Sequence, residues 1–164
     1  MAMKPKKGYT LVEMMMAVAI LGVVGGMAVP MLMQMTNFWR QTTARNAIQR
    51  DVRGSLDIIN RFARQAQSST LVIDAVTGQP PASRVTFTSV QGPVISFYQS
   101  GNKLYMSMSG KVTMLTENLA YISFIYPRSD DITLLSVAIT AQSATYRGGK
   151  KALQLSIQKV RVMN

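Results

Sequence analysis

One carboxylate, that of Glu13, stands at the start of a long apolar stretch. Residues 14–33 contain no charged side chain, and as a helix they would extend about 30 Å, the thickness of a bilayer's hydrocarbon core. A carboxylate within a membrane helix costs about 2.5–3.5 kcal/mol on insertion scales, which makes Glu13 a functional candidate. A solvated position at headgroup depth would also satisfy this side chain, so its place in the sequence alone leaves both interpretations open.

The rest of the sequence offers little catalytic chemistry. It contains no cysteine and no histidine, which excludes a disulfide, a common zinc site and a Cys/His nucleophile pair. Phosphate-binding loops, G-x-S-x-G, H-E-x-x-H and paired catalytic carboxylates are also missing from the sequence. Asp130 and Asp131 are adjacent, but calcium needs six or more oxygen ligands, and the spacing of a calcium loop is absent. We therefore expect no enzyme, no cofactor and no metal site.

The residues around Glu13 form a specific pattern. Gly8 is followed by the aromatic Tyr9, Glu13 is fifth from Tyr9, and Pro30 is twenty-second. A short basic leader precedes Gly8, with Lys4, Lys6 and Lys7. This arrangement resembles the prepilin peptidase site of type IV pilins and type II secretion pseudopilins, in which Phe is commoner than Tyr after the glycine. The resemblance covers roughly the first 30 residues.

The resemblance implies a processing and assembly pathway. A prepilin peptidase would cleave between Gly8 and Tyr9 and methylate the new amine of Tyr9. The carboxylate of Glu13 would then attract the N-terminal amine of a neighbouring pilin or pseudopilin subunit. Further implied partners are the inner-membrane assembly platform and membrane lipid. By the positive-inside rule, Lys4, Lys6 and Lys7 favour a cytoplasmic N-terminus, although Arg40, Arg45 and Arg50 lie at a similar distance beyond the apolar run. The resemblance implies the same orientation, that of a single-pass bacterial inner-membrane protein with an extracytoplasmic C-terminal domain.

Small residues and a proline lie within the apolar run. Gly22 and Gly26 have the GxxxG spacing that lets two helices approach closely in lipid. Together with Gly25, these glycines and Pro30 weaken the helix intrinsically. We expect this segment to serve as a packing surface that bends or unwinds on entering a protein bundle, and the resemblance implies the same behaviour.

The remaining sequence predicts an α+β fold. Apolar residues recur every three or four positions between Ile48 and Ala66, so we expect one long helix over 9–67, with a membrane half and an amphipathic half packed on an antiparallel sheet. Strand-like runs fall at 84–88, 94–98, 103–108, 111–115, 121–126, 134–141 and 152–162. Alternation in the last run shifts phase near Lys159, which suggests a bulge. The predicted domains are a leader at 1–8, a membrane and assembly helix at 9–39, an amphipathic helix at 40–67 and a β-rich domain at 68–164.

The sequence leaves the type of subunit undecided, and it leaves two alternatives to the function of a filament subunit. Stretches 49–66 and 117–126 look like the J-type minor pseudopilin and W-type minor pilins, which help start assembly near the filament tip. The net charge is +11, and removal of the three leader lysines leaves 15 basic against 7 acidic side chains, or +8. Such an excess fits a DNA-binding minor pilin of an uptake pilus, or simply a solvated basic surface. An unrelated single-span membrane protein is the other alternative.

Overall fold

The computed structural model describes residues 8–144 and 151–162, and for 151–153 the backbone alone. The predicted leader, apart from Gly8, lies outside the described residues, and so does the segment 145–150 between the last two predicted strands. The chain divides after Arg40 into two units, of which the second runs from Gln41 to the C-terminus.

A single helix, α1 (Leu11–Ala63), makes up the N-terminal part of the described chain. Its last four turns are amphipathic, because apolar residues at spacings of three and four fall on one side. Ile48, Val52, Leu56, Ile59 and Ala63 are buried there. The predicted long helix with an amphipathic second half is confirmed.

The helix is shorter than expected at both ends, beginning at Leu11 rather than Tyr9 and ending at Ala63 rather than Gln67. At its C-terminal end the backbone leaves the helix to bond with the sheet. The Gln67 N–H donates to the Thr88 carbonyl at 2.9 Å, and the Val90 N–H donates to the Gln65 carbonyl at 2.8 Å. These bonds end the helix because they occupy backbone groups that another turn would need. A short 3₁₀ turn, Ser68–Thr70, follows.

Within the described residues, eight strands form two antiparallel sheets after the helix. The first sheet has the order β1 (Val72–Asp74), β2 (Arg84–Thr88), β3 (Val94–Ser100), β4 (Lys103–Met108) and β5 (Lys111–Thr116). The second has the order β6 (Leu119–Ile125), β7 (Leu134–Ala144) and β8 (Lys151–Arg161). The predicted α+β class is thus confirmed, while β1 was not predicted.

A tight hairpin joins β3 and β4 at Ser100-Gly101-Asn102, where turn residues separate two strand-like runs of the sequence. Ser100 pairs with Lys103 across a two-residue connection, and Gly101 adopts a φ of 59°. Glycine suits this position because positive φ costs it nothing in steric strain.

One hydrophobic core joins helix and sheets. It combines the buried stripe of α1 with inward-facing residues of both sheets, including Phe87, Phe97, Phe124 and Ile139, all of them 1% exposed or less. The sequence predicts both sets of buried residues. Apolar residues that repeat every 3.6 positions mark the buried face of a helix, and those that repeat every 2 positions mark the buried face of a strand.

The side chain of Gln99, on β3, connects the two sheets. It is 3% exposed, its Oε1 accepts the Ile122 N–H of β6 at 3.1 Å, and its Nε2 donates to the Ala120 carbonyl at 3.4 Å. The same Nε2 donates to the Gly101 carbonyl at 2.9 Å. An amide side chain therefore supplies β6 with the donor and acceptor that a neighbouring strand would otherwise offer.

Strand β8 differs from expectation. No bulge occurs near Lys159, because eleven consecutive residues pair with β7 without a register shift. The phase shift in the sequence instead puts apolar residues on both faces of an unbroken strand. Val160 and Val162, just beyond the strand end, are buried, whereas Leu155 and Ile157 are each 62% exposed on the opposite face.

We predict that Gln99→Leu lowers the free energy of unfolding of the unit starting at Gln41 by about 1–3 kcal/mol, because the buried Ile122 N–H and Ala120 carbonyl lose their partner. Urea denaturation of a 41–164 fragment measures this change. Gln91→Leu is the matched control, since Gln91 is exposed. Equal stability of the two variants would contradict the role assigned to Gln99.

Candidate functional site

Gly8 and Tyr9 lie in non-helical backbone immediately before α1. Tyr9 is 84% exposed, and a Cβ built on Gly8 would meet no atom of the described chain within 4 Å. The peptide bond between them is therefore accessible to another protein, and the chain's own packing imposes no requirement for glycine at this position.

Glu13 and Thr10 cap the start of the helix reciprocally. The Thr10 backbone N–H donates to Glu13 Oε2 at 2.8 Å, and the Glu13 backbone N–H donates to Thr10 Oγ1 at 3.2 Å. The Thr10 hydroxyl also donates to the same carboxylate oxygen at 3.2 Å. This is a capping box, which satisfies two backbone donors that have no partner within the helix.

Thr10 is the functional residue that the sequence analysis missed. Its signal was present, because Thr10-Leu11-Val12-Glu13 has the S/T-x-x-E spacing of a capping box before an apolar run. The carboxylate also lies in the first helical turn, where the helix dipole favours a negative charge.

The Glu13 carboxylate retains capacity for a further partner. A carboxylate accepts hydrogen bonds at two oxygens, each with two lone pairs, and the bonds to Thr10 use Oε2. Among the described residues no ion pair involves Glu13, since Arg84 and Asp74 form the one salt bridge there. The geometry thus lets the carboxylate accept a cation from outside the chain while it caps the helix.

The predicted packing residues Gly22, Gly26 and Pro30 all lie within α1, and Pro30 is inside the helix without ending it. A side chain at Gly22 or Gly26 would meet nothing within 4 Å. Proline has no N–H to donate, so the helix lacks one hydrogen bond in the turn that begins at Gly26. Pro30 is seventeen residues beyond Glu13, about 25 Å along the helix axis, so the structure does not bring these residues to one point.

The apolar half of α1 has the length and composition of a membrane span. It contains the most apolar window of the described chain, and no residue of that window is buried within the chain. Met14, Leu21, Val29 and Leu32 are each more than half exposed. An aqueous environment would therefore leave a large apolar surface uncovered.

Asp131, one of the two adjacent aspartates considered as cation ligands, has a local role. Asp131 accepts the Thr133 N–H at 2.9 Å and a bond from the Thr133 hydroxyl, and these bonds lower the pKa of its carboxyl. Among the described residues no cluster of three or more His, Cys, Asp or Glu side chains could hold a metal ion.

Comparison with known proteins identifies the N-terminal region. Residues 3–29 of 164 match the family model described as the prokaryotic N-terminal methylation motif. No curated protein and no solved structure matches the chain. The matched segment contains Gly8, Tyr9 and Glu13, and it implies a structural subunit rather than an enzyme. Together with the long apolar helix it fits a pilin anchored in the inner membrane. The chain therefore carries the N-terminal methylation motif that marks the type IV pilin and pseudopilin family.

Proposed function

We propose that this protein is a minor structural subunit of a type IV pilus or type II secretion pseudopilus, processed by prepilin peptidase and assembled through its N-terminal helix. The observation that carries the proposal is the methylation motif at residues 3–29, which continues into an apolar helix. In this proposal α1 spans the inner membrane before assembly, and the β-rich domain lies outside the cytoplasm.

Processing frees the amine that assembly uses. Prepilin peptidase cleaves between Gly8 and Tyr9 and methylates the new amine of Tyr9. The exposed, non-helical backbone at these residues supports this assignment, because a peptidase needs access to extended chain.

Glu13 then binds the amine of Tyr9 from a neighbouring subunit. Within a bundle of apolar helices an unpaired carboxylate and an unpaired ammonium are both costly, and pairing them removes most of that cost. Neighbouring subunits whose offset along the filament pairs the carboxylate with the ammonium are therefore favoured. Offsets that leave either charge unpaired are disfavoured. Thr10 holds the carboxylate at the first turn while this pair forms.

Close packing of subunits involves Gly22 and Gly26, and Pro30 weakens the helix in the same region. The open space at both glycines supports contacts with helices of other subunits, since a missing side chain lets a neighbouring backbone approach. The partners are other pilin or pseudopilin subunits and the inner-membrane assembly platform. A J-type pseudopilin or W-type pilin is the subunit type that we assign.

We predict that the mature protein from its native membrane lacks residues 1–8 and carries one extra methyl group on Tyr9. Intact-mass spectrometry measures both changes. Gly8→Leu should remain at full-length mass yet fold and insert normally, because a side chain at Gly8 meets nothing within the described chain. An unprocessed wild-type protein, in cells with active prepilin peptidase, would leave the unrelated single-span protein as the explanation.

We predict that Glu13→Gln is cleaved normally but enters filaments poorly. Glutamine can replace glutamate in a capping box, so this variant removes the charge while keeping the helix cap. Thr10→Ala is the matched control: it removes the hydroxyl, keeps the carboxylate and costs the helix about 0.5–2 kcal/mol. The amount of processed subunit in sheared filaments is measured for both variants, Glu13→Gln and Thr10→Ala. If Glu13→Gln assembles as well as wild type, the proposed charge pair is wrong.

We predict that Gly22→Leu and Gly26→Leu reduce assembly without changing cleavage or the stability of the unit starting at Gln41. A Cβ at either glycine would meet no atom of the described chain within 4 Å, apart from the helix's own nearby backbone. We therefore expect a defect to arise from contacts with other helices. Ala28→Leu provides a control, since it adds similar bulk outside the GxxxG pair. Equal incorporation of all three variants would exclude the glycine pair as a packing surface.

A further inference from the structure

The side of α1 opposite the buried stripe carries a concentration of arginines. Arg50, Arg53, Arg61 and Arg64 follow one another at intervals of three, eight and three residues, and at about 100° per residue they fall on one side of the helix. Arg64 directly follows the last helical residue, and its N–H continues the helical pattern by donating to the Asn60 carbonyl at 3.1 Å. All four side chains are exposed. We name these four residues the arginine face.

No acidic side chain of the described residues forms a salt bridge with the arginine face, because the one ion pair there joins Arg84 and Asp74. The guanidinium of Arg61 lies 5.0 Å from the ring centroid of Phe62, a contact that uses no carboxylate. Within each pair, Arg50 with Arg53 and Arg61 with Arg64, the like charges are three residues apart and destabilise the helix slightly. Asp57 is four residues from both Arg53 and Arg61 and offsets part of this repulsion. Guanidinium groups bind carboxylates and phosphates in a bidentate geometry that lysine does not offer.

A carboxylate within the same surface indicates the kind of partner. Asp57 lies between Arg53 and Arg61 and is exposed. Asp57, Asn60, Arg61, Arg64 and Gln65 line an open depression of about 420 Å³. Phosphate groups of nucleic acid or lipid are negatively charged and offer only acceptors, so Asp57 would repel them and find no donor among them. A protein surface offers donors and carboxylates together.

We propose that the arginine face docks a carboxylate-bearing surface of a different, acidic subunit in the same filament. This inference rests on the proposed function, and it specifies that the partner's surface bears carboxylates. A second copy of this chain is a poor partner, because the mature protein has a net charge of +8, from 15 basic against 7 acidic side chains. Two arginine pairs, with Arg50 about 16 Å from Arg61 along the axis, fit two groups of carboxylates about the same distance apart on the partner's surface.

The test uses the full-length protein in its native membrane. A double variant, Arg61→Glu with Arg64→Glu, should be cleaved and methylated normally and should still fold, because both side chains are exposed. Loss of the Arg61–Phe62 contact and negative charge in the last turn of α1 should lower its stability only slightly. Its incorporation into filaments should fall roughly tenfold, since like charges then face each other across the interface. The matched control is Arg128→Glu with Arg161→Glu, two exposed arginines outside α1, which should assemble normally.

A photo-crosslinking residue in place of Arg64 identifies what lies on this surface. A cross-link to an acidic peptide of another processed pilin-type subunit, with a yield that falls as salt is raised, supports the proposal. Cross-links to nucleic acid or lipid, or normal incorporation of the charge-reversed variant, overturn it while leaving the filament role intact. Failure of the proposed function is a separate observation, namely an unprocessed wild-type chain.

Discussion

The uncovered apolar surface of the N-terminal half of α1 is the constraint on which the rest of this structure depends. No residue of its most apolar window is buried by the chain itself, and full burial of one large apolar side chain is worth about 1.5–3 kcal/mol. The chain can obtain this stabilisation only from lipid or from the helices of other subunits. The same helix buries a different set of side chains, Ile48 to Ala63, in its own domain. The two halves of α1 thus have different environments: the N-terminal half needs lipid or other subunits to cover it, and the C-terminal half is covered by its own domain.

The capping box gives Glu13 a structural role that does not compete with binding a partner. Because Thr10 uses Oε2, the other oxygen can accept a hydrogen bond from an amine without uncapping the helix. The carboxylate is also held at the end of the helix, so its position relative to the axis is defined before any partner arrives. Preorganisation of this kind reduces the entropy that binding must overcome.

The sequence predicted features that depend on periodicity and turn chemistry, and it missed features that depend on contacts between distant residues. The buried stripe of α1 and the hairpin at Gly101 follow from local patterns. The bridge formed by Gln99 required knowledge that β6 lies beside β3, and a glutamine in a strand carries no local sign of it. The end of α1 at Ala63 depends on backbone bonds to residues near Thr88. Thr10 differs, because its capping pattern was present in the sequence but was overlooked.

Strand β8 has a consequence for the behaviour of the isolated domain. It is the outer strand of its sheet, and Leu155 and Ile157 leave apolar surface on its exposed face. Such an edge is a template for unwanted pairing between molecules. Lys159 and Arg161 lie on the same face of β8, so two approaching copies repel each other electrostatically. Because salt screens this repulsion over about 10 Å at 0.1 M ionic strength and over less at higher salt, colloidal stability of the domain is highest at low ionic strength.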